Sequence, residues 1–393
     1  MSHKKVDFLV IGGGLTGCLV AKRLQEAKKS YLLVEKSNTL GGRIRSHQIK
    51  GFTIDEGFQV SLTSYPWVES LLKDHQSNFF TFDSGAIILT SDSKRSYFLN
   101  PLKHPLSILK TLKAPALSSS QILPLLKALI RSPESVQNLS AKEFINKIRF
   151  SSEFQDQFFR PFFGGIFLDP NLQPSAALFV YLYRLFAFGK AFVPKAGIGQ
   201  LIEWITKDLE KTNVLLNTEV KTRQQNQVTL SNGEVIQAQT IIQACNLDPN
   251  FNFNSTHCYW VSIPKQKVIC KLITLNGDSV NPILHSSLIS HVNPHYAPKG
   301  FDLVTITTTE EISSQDIKAW VTRAYTDLHG ADIELIAYQH IKKALPQFRA
   351  QKTWNQPGYL KQGSHFEIGD HTSFPSQQGV ANAVENLMEV ILN

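Results

Sequence analysis

Residues 6–17 read VDFLVIGGGLTG, and this stretch decides the fold. Phe8, Leu9, Val10 and Ile11 form an apolar run of strand type that enters three glycines, after which Ala21, Leu24 and Ala27 recur at helical spacing. The glycines fall as Gly12-x-Gly14-x-x-Gly17, the spacing of a dinucleotide-binding turn. Gly12 permits the tight turn, Gly14 lets the backbone approach a pyrophosphate, and Gly17 lets helix and sheet pack closely. The helix that opens at Leu15 and Thr16 offers N–H groups and a positive end to phosphate oxygens. A second apolar strand, residues 30–34 (SYLLV), ends at Glu35 and Lys36. A carboxylate at that strand tip suits a ribose 2′-hydroxyl and disfavours a 2′-phosphate.

The bulk composition narrows the classes. With 393 residues the chain has room for two domains, and 42% hydrophobic content is ordinary for a folded protein. The formal net charge of +8 is spread over scattered Lys and Arg, without a dense basic tract or a nucleic-acid-binding signature. Nucleic acid is therefore not an expected partner. Cys18, Cys245, Cys258 and Cys270 show no paired spacing and read as free thiols of a reducing compartment. No signal peptide precedes the first strand, and no apolar run reaches the about 18 residues of a spanning helix. The expectation is a cytoplasmic protein, with peripheral attachment to the inner face of a membrane as an open alternative.

Further motifs follow. Gly41-Gly42-Arg43 comes soon after Glu35 and brings paired glycines with a guanidinium that suits phosphate oxygens; Arg45 reads as a solvated surface residue. Residues 51–58 (GFTIDEGF) contain an Asp-x-Gly segment. Near the other end, residues 366–370 read as a strand running into Gly369-Asp370, followed by Pro375-Ser376, Gly379-Val380 and Ala383 at the start of a final helix. Taken together, these motifs resemble the flavin-containing amine oxidase superfamily, and within it the protoporphyrinogen oxidase and phytoene-desaturase-like enzymes. The resemblance covers nearly the whole chain. It implies an α/β fold: a Rossmann-like FAD-binding domain with an α+β substrate domain and a helical lobe. The corresponding boundaries are 1–75, 190–250 and 360–393 for the FAD domain, 76–100 and 251–359 for the substrate domain, and 101–189 for the lobe.

The resemblance also implies roles. Gly42 and Arg43 wrap the FAD pyrophosphate, and Asp55, Gly57, Phe58 and Gln59 lie on the approach to the isoalloxazine. The backbone of Val220 pairs with the adenine. Asp370 accepts from the ribityl chain or meets the pyrophosphate, and the N–H groups at Gly379 and Val380 point at the flavin O2 end. No cysteine follows Cys270, so the FAD is expected to be non-covalent.

Between these motifs the substrate region is less explicit. Residues 101–132 alternate leucines and isoleucines with basic residues and are cut by prolines, which fits a packed helical lobe, a membrane-facing patch or the mouth of an apolar pocket. Residues 154–167 (FQDQFFRPFFGGIF) read as either a core or an apolar binding wall. Residues 268–273 read as a strand, and 317–328 and 331–344 as helices. Lys271, with Lys265 and Lys267 competing, is the nearest candidate for a lysine at the flavin; Trp354 and Tyr359 could line the site or simply pack. No catalytic residue is assigned. His285, His291 and His295 read as solvated rather than metal-bound, so no metal is expected.

The function expected from these features is FAD-dependent removal of a hydride from a bulky, largely apolar substrate such as a polyene or porphyrinogen. Electrons would pass to oxygen or a quinone. Oxidation of a small amine, and a non-redox isomerase or non-catalytic flavin-binding protein, stand as alternatives. Monomer and homodimer are both open.

Overall fold

The computed structural model describes residues 3–100, 102–103, 119–278, 281–325, 333–350 and 354–392. The chain divides into two compact units: Met1–Arg45, Gly199–Asn252 and Asn355–Asn393 form one, Ser46–Ile198 and Phe253–Trp354 the other.

The first unit is Rossmann-like. Its central strand, His3–Ile11, pairs in parallel with Tyr31–Val34 on one side and Val235–Gln243 on the other. Val214–Leu215 and His365–Ile368 extend the parallel set at either side. Val10, Leu33 and Ile242 pack against Val20, Ala21 and Leu24 of helix Leu15–Glu26 and against Val384 and Leu387 of helix Gln377–Ile391. Leu9, Ile11, Leu32 and Val34 build a second core with Val228 and Ile236. Burial on both faces is why the central strands read as unbroken apolar runs.

The second unit is built on a seven-stranded sheet in the order Glu334–Pro346, Phe253–Pro264, Phe301–Thr308, Ile283–Leu288, Ile273–Asn276, Gly85–Leu89, Arg95–Leu99. One face is covered by helix Ser314–Ala324, whose Ile317, Trp320 and Val321 pack with Tyr259, Val304 and Ile306. The opposite face turns Cys258, Trp260 and Leu303 toward Phe52, Ile54, Ile289 and Tyr296.

Asp55 is the buried pivot beside that second face. Its Oδ1 accepts from Ser46 Oγ at 2.6 Å and Ile198 N at 3.0 Å, and its Oδ2 from Tyr296 OH at 2.6 Å. Burial outweighs these donors and raises the carboxyl from its ordinary 3.8 to about 6. The folded protein thus keeps a proton that the unfolded chain releases near pH 4. The stability gained this way is full below pH 4 and is lost as pH rises through 6. In urea unfolding, the margin of wild type over Asp55→Asn is expected to shrink by roughly 2–3 kcal/mol between pH 4 and 7. A margin that does not change with pH contradicts this.

Two expectations are corrected. Residues 331–344 were expected as a helix, but Glu334–Pro346 is a strand at the sheet edge, paired along nearly its whole length with Phe253–Pro264. Its polar and apolar residues are compatible with either element, and tertiary pairing decides. Residues 268–273 do not form a strand; pairing begins at Ile273, and Val268 and Ile269 are exposed. Of the two readings left open for the aromatic run, core is the one observed. Phe154, Phe159, Phe163 and Phe167 are fully buried, and their rings meet one another and Phe179, with Phe163 and Phe179 centroids 4.4 Å apart.

Of the leucine-rich stretch 101–132, residues 101 and 104–118 lie outside the described residues. Its helix Ile122–Ile130 exposes Leu123, Leu126 and Ile130. No helix among the described residues is long and apolar enough to cross a membrane.

Candidate cofactor and substrate sites

In the first unit the fingerprint folds as a strand, a tight turn and a helix. Gly12 takes φ +102° and donates to Val34 O at 2.8 Å. A Cβ on Gly17 would stand 1.8 Å from Gly12 O, so only glycine fits the helix against the turn. Gly14 caps helix Leu15–Glu26 without a side-chain hydrogen bond, and no acidic residue occupies the first turn. Leu15 and Thr16 are buried within that turn. The Gly41–Gly42 pair lies directly against it: Gly41 N donates to Gly13 O at 2.7 Å, and a Cβ on Gly42 would come 3.0 Å from Gly14 Cα.

Glu35 is buried at the strand tip. Its Oε2 accepts from Gly13 N at 2.6 Å and its Oε1 from Ser37 N at 2.8 Å. Burial alone would raise the carboxyl, but hydrogen bonds from Ser37 and the Gly13 amide hold it below its ordinary value. Gly13 therefore matters although the fingerprint leaves it unspecified: its Cβ would meet Leu40 at 2.5 Å and Glu35 at 3.0 Å. Arg45 is not the solvated residue expected; it is half-buried and donates to Ser37 Oγ at 3.2 Å, behind Glu35. Lys36 is exposed.

The two distant motifs meet. Arg43 Nη2 lies 2.5 Å from Asp370 Oδ2, which joins the early glycine-rich segment to the C-terminal Gly369-Asp370. Val220 opens strand Val220–Gln224 and packs partly against the core around Leu9 and Val34. The final helix begins at Gln377, capped by Ser376. This corrects the expectation for Gly379 and Val380. Gly379 N donates to Ser376 Oγ at 3.0 Å and Val380 N to Ser376 O at 3.1 Å, so both N–H groups are spent inside the first turn. Gly379 is required for packing, since its Cβ would stand 2.0 Å from Phe374 O. Ala383 is buried, close against Gly358.

All four cysteines are free. Burial raises Cys18 to about 12 and Cys245 to about 11, so both stay protonated thiols.

In the second unit, Gln339 carries the Asp-x-Gly segment. Its Oε1 accepts from Gly57 N at 2.8 Å and Trp260 Nε1 at 3.3 Å, and its Nε2 donates to Asp55 O at 3.1 Å. The lysine candidates do not stand on the sheet. Lys265 is paired with the buried Asp302 at 2.6 Å, and Lys271 lies in the connection before Ile273–Asn276. Trp354 packs on Tyr181, and Tyr359 on Phe366. Neither His285 nor His291 is solvated. His291 Nε2 donates to Asp302 Oδ2 at 2.8 Å while its Nδ1 accepts from Cys270 N at 3.0 Å, which fixes a single neutral tautomer. Among the described residues no group of three His, Cys, Asp or Glu side chains could hold a metal ion.

His285 sits in a patch that sequence reading missed. It lies opposite Thr307, and Ser287 opposite Thr305, on strands Ile283–Leu288 and Phe301–Thr308. The face is the one that bears Cys258 and Trp260. All four residues are buried, yet His285 Nδ1 and the hydroxyls of Ser287, Thr305 and Thr307 have no hydrogen-bond partner. An unmet buried polar group costs roughly 1–3 kcal/mol, and native proteins leave few of them. The Phe58 ring lies over His285, 5.3 Å between centroids.

These arrangements match known proteins. Residues 15–272 match the family described as flavin containing amine oxidoreductase, and the chain belongs to it. A 41-residue segment is 51% identical to oblC, an FAD-dependent oxidoreductase of Cochliobolus heterostrophus, covering 10% of this chain and 8% of that protein. Among solved structures, putrescine oxidase bound to putrescine is similar at TM-score 0.71 and 14% identity, with 100% of both chains covered. A protein described as a protoporphyrinogen oxidase from an Exiguobacterium species is similar at TM-score 0.70 and 15% identity, over 100% of this chain and 99% of that one. Likeness at that identity speaks for the fold, and it does not single out the protoporphyrinogen oxidase branch over the amine oxidases.

The first unit fits FAD by its own features: a glycine turn in which Gly13 and Gly17 leave no room for side chains while Gly14 stays open, an uncapped helix start, a buried carboxylate at the strand tip and an arginine in the second glycine segment. The chain is an FAD-dependent oxidoreductase with non-covalent FAD. When bound, FAD supplies the two-electron acceptor; the protein supplies placement and electrostatics.

Proposed function

We propose that this protein oxidises a small amine. The substrate loses a hydride from the carbon beside nitrogen and a proton from nitrogen, leaving an imine that water hydrolyses; the two electrons pass through FAD to oxygen or a quinone. The observation that carries this reading is the aromatic run from Phe154 to Phe167. Its rings are turned into one another, which removes the main support for a bulky apolar substrate. Membership of the amine oxidoreductase family and the fold shared with putrescine oxidase point the same way.

In this reading Glu35 accepts from the adenosine ribose, and the Gly12–Gly17 turn with Gly41, Gly42 and Arg43 takes the pyrophosphate. Asp370, its charge balanced by Arg43, faces the ribityl–pyrophosphate side, and Val220 offers its backbone to the adenine.

Anaerobic mixing of the FAD-loaded protein with primary and secondary amines, a polyene and a porphyrinogen tests the substrate class. Rapid bleaching of the flavin band by an amine alone is expected. Bleaching by the polyene or porphyrinogen, with none by any amine, would return the apolar reading.

A further inference from the structure

We propose that loop 265–272 of the second unit docks on an anionic lipid bilayer. Val268 and Ile269 enter the boundary between headgroups and acyl chains, and the lysines around them meet the headgroups. This concerns where the protein works rather than what it oxidises.

The loop joins strand Phe253–Pro264 to strand Ile273–Asn276, and one buried Asp–His pair clamps both of its feet. On the entering side, the fully buried Asp302 accepts from Lys265 Nζ at 2.6 Å and Gln266 N at 2.8 Å. Asp302 also accepts from His291 Nε2 at 2.8 Å, and His291 Nδ1 accepts from Cys270 N at 3.0 Å on the leaving side. The residues between these anchored amides form a short tip. There Val268 is 73% and Ile269 71% exposed. Their exposure belongs to a tip whose two ends are pinned, not to a trailing segment.

The charge around the tip selects its partner. Residues 265–277 contain Lys265, Lys267 and Lys271 and no acidic residue. Lys265 N donates to Gly300 O at 3.1 Å, which brings Lys299 and the 48% exposed Phe301 alongside. The Lys50-Gly51 turn reaches the same place, since a Cβ on Gly51 would lie 3.8 Å from Pro298. Lys50 is balanced by Glu334, Lys265 by Asp302, and Lys271 has Asp83 beside it. Lys267 and Lys299 are exposed and form no ion pair among the described residues. A stable protein interface needs about 20–30 residues a side, far more than this tip presents. A bilayer asks only for shallow entry of an apolar tip, with lysine heads at anionic headgroups and their stems along the acyl boundary. Helix Ile122–Ile130 also exposes apolar residues, but it follows closely on residues outside the described ones, whereas loop 265–272 is described throughout.

The test mixes the FAD-loaded protein with vesicles of three parts phosphatidylcholine to one part phosphatidylserine and reads the bound fraction by sedimentation. The wild type is expected to sediment with them, more weakly at high salt, and at least about tenfold more weakly with pure phosphatidylcholine. Val268→Ser/Ile269→Ser should melt at the wild-type temperature, because both side chains stand in water, and bind the mixed vesicles at least about tenfold more weakly. Lys267→Gln/Lys299→Gln should lose about tenfold as well and flatten the salt dependence. Val268→Trp should bind more tightly, with an emission that shifts to the blue relative to the wild type when vesicles are added. A wild type that stays in the supernatant at low salt overturns the proposal, and so does wild-type affinity in the folded serine variant. Binding lost in Leu123→Ser/Leu126→Ser but kept in the serine loop variant would place attachment on helix Ile122–Ile130 and also overturn it. Self-association that the serine loop variant abolishes, without vesicle binding by the wild type, would assign the tip to a second copy of the chain instead.

Discussion

Gly17→Ala is expected to yield a protein without flavin and with its first unit unfolded under conditions where the wild type is stable. The added methyl would lie 1.8 Å from Gly12 O, and neither backbone can retreat, because Gly12 is fixed to Val34 and helix Leu15–Glu26 is packed on the sheet. Forced displacement at a buried helix–strand contact belongs with the most damaging substitutions, roughly 4 kcal/mol or more. Gly14→Ala provides the contrast. The nearest atom to a Cβ there is Gly42 Cα at 4.0 Å, and the backbone at Gly14 is one that alanine adopts readily. This variant should fold with near wild-type stability but take up FAD poorly, since the methyl occupies the approach of the pyrophosphate. Circular dichroism with FAD titration separates the two. Equal stability of both variants would show that the turn is looser than described; full FAD affinity in Gly14→Ala would place the phosphates elsewhere.

Glu35→Arg should be comparably severe for the cofactor. The carboxylate is buried and holds the Gly13 and Ser37 amides, so an arginine loses both bonds and places a cation where a ribose hydroxyl needs an acceptor. An FAD affinity at least about 100-fold weaker is expected, equivalent to about 2.7 kcal/mol. Glu35→Gln, which keeps one acceptor oxygen, should lose about tenfold. Unaltered affinity in Glu35→Arg would remove Glu35 from the site.

The FAD unit was legible because its signals are backbone signals. Glycines at Gly12, Gly14 and Gly17, and doubly buried strands around Leu9 and Leu33, are dictated by steric and burial constraints that leave few alternatives. The C-terminal Gly369-Asp370 was legible as a motif, but nothing in its local sequence shows that Asp370 meets Arg43. Gly13 was passed over because the fingerprint marks its position as free; its constraint comes from Leu40 and Glu35, which are remote in sequence. The strand Glu334–Pro346 was read as a helix because the pairing that makes it a strand comes from Phe253–Pro264, some eighty residues earlier. The polar patch was invisible for a related reason. Thr305-Ile306-Thr307 is the alternation of a strand with one wet face, and sequence does not distinguish a wet face on solvent from one buried inside a unit. His285 reads as solvated because its segment looks like a loop and offers no carboxylate partner, whereas it lies on strand Ile283–Leu288.

The central claim is that this chain carries non-covalent FAD. It is tested most directly by purifying the protein, recording its visible spectrum, precipitating the polypeptide with acid and identifying the flavin in the supernatant by chromatography. A yellow protein that releases one FAD per chain is the expected result. A colourless protein that fails to take up added FAD, or a flavin that stays with the precipitate, would contradict it.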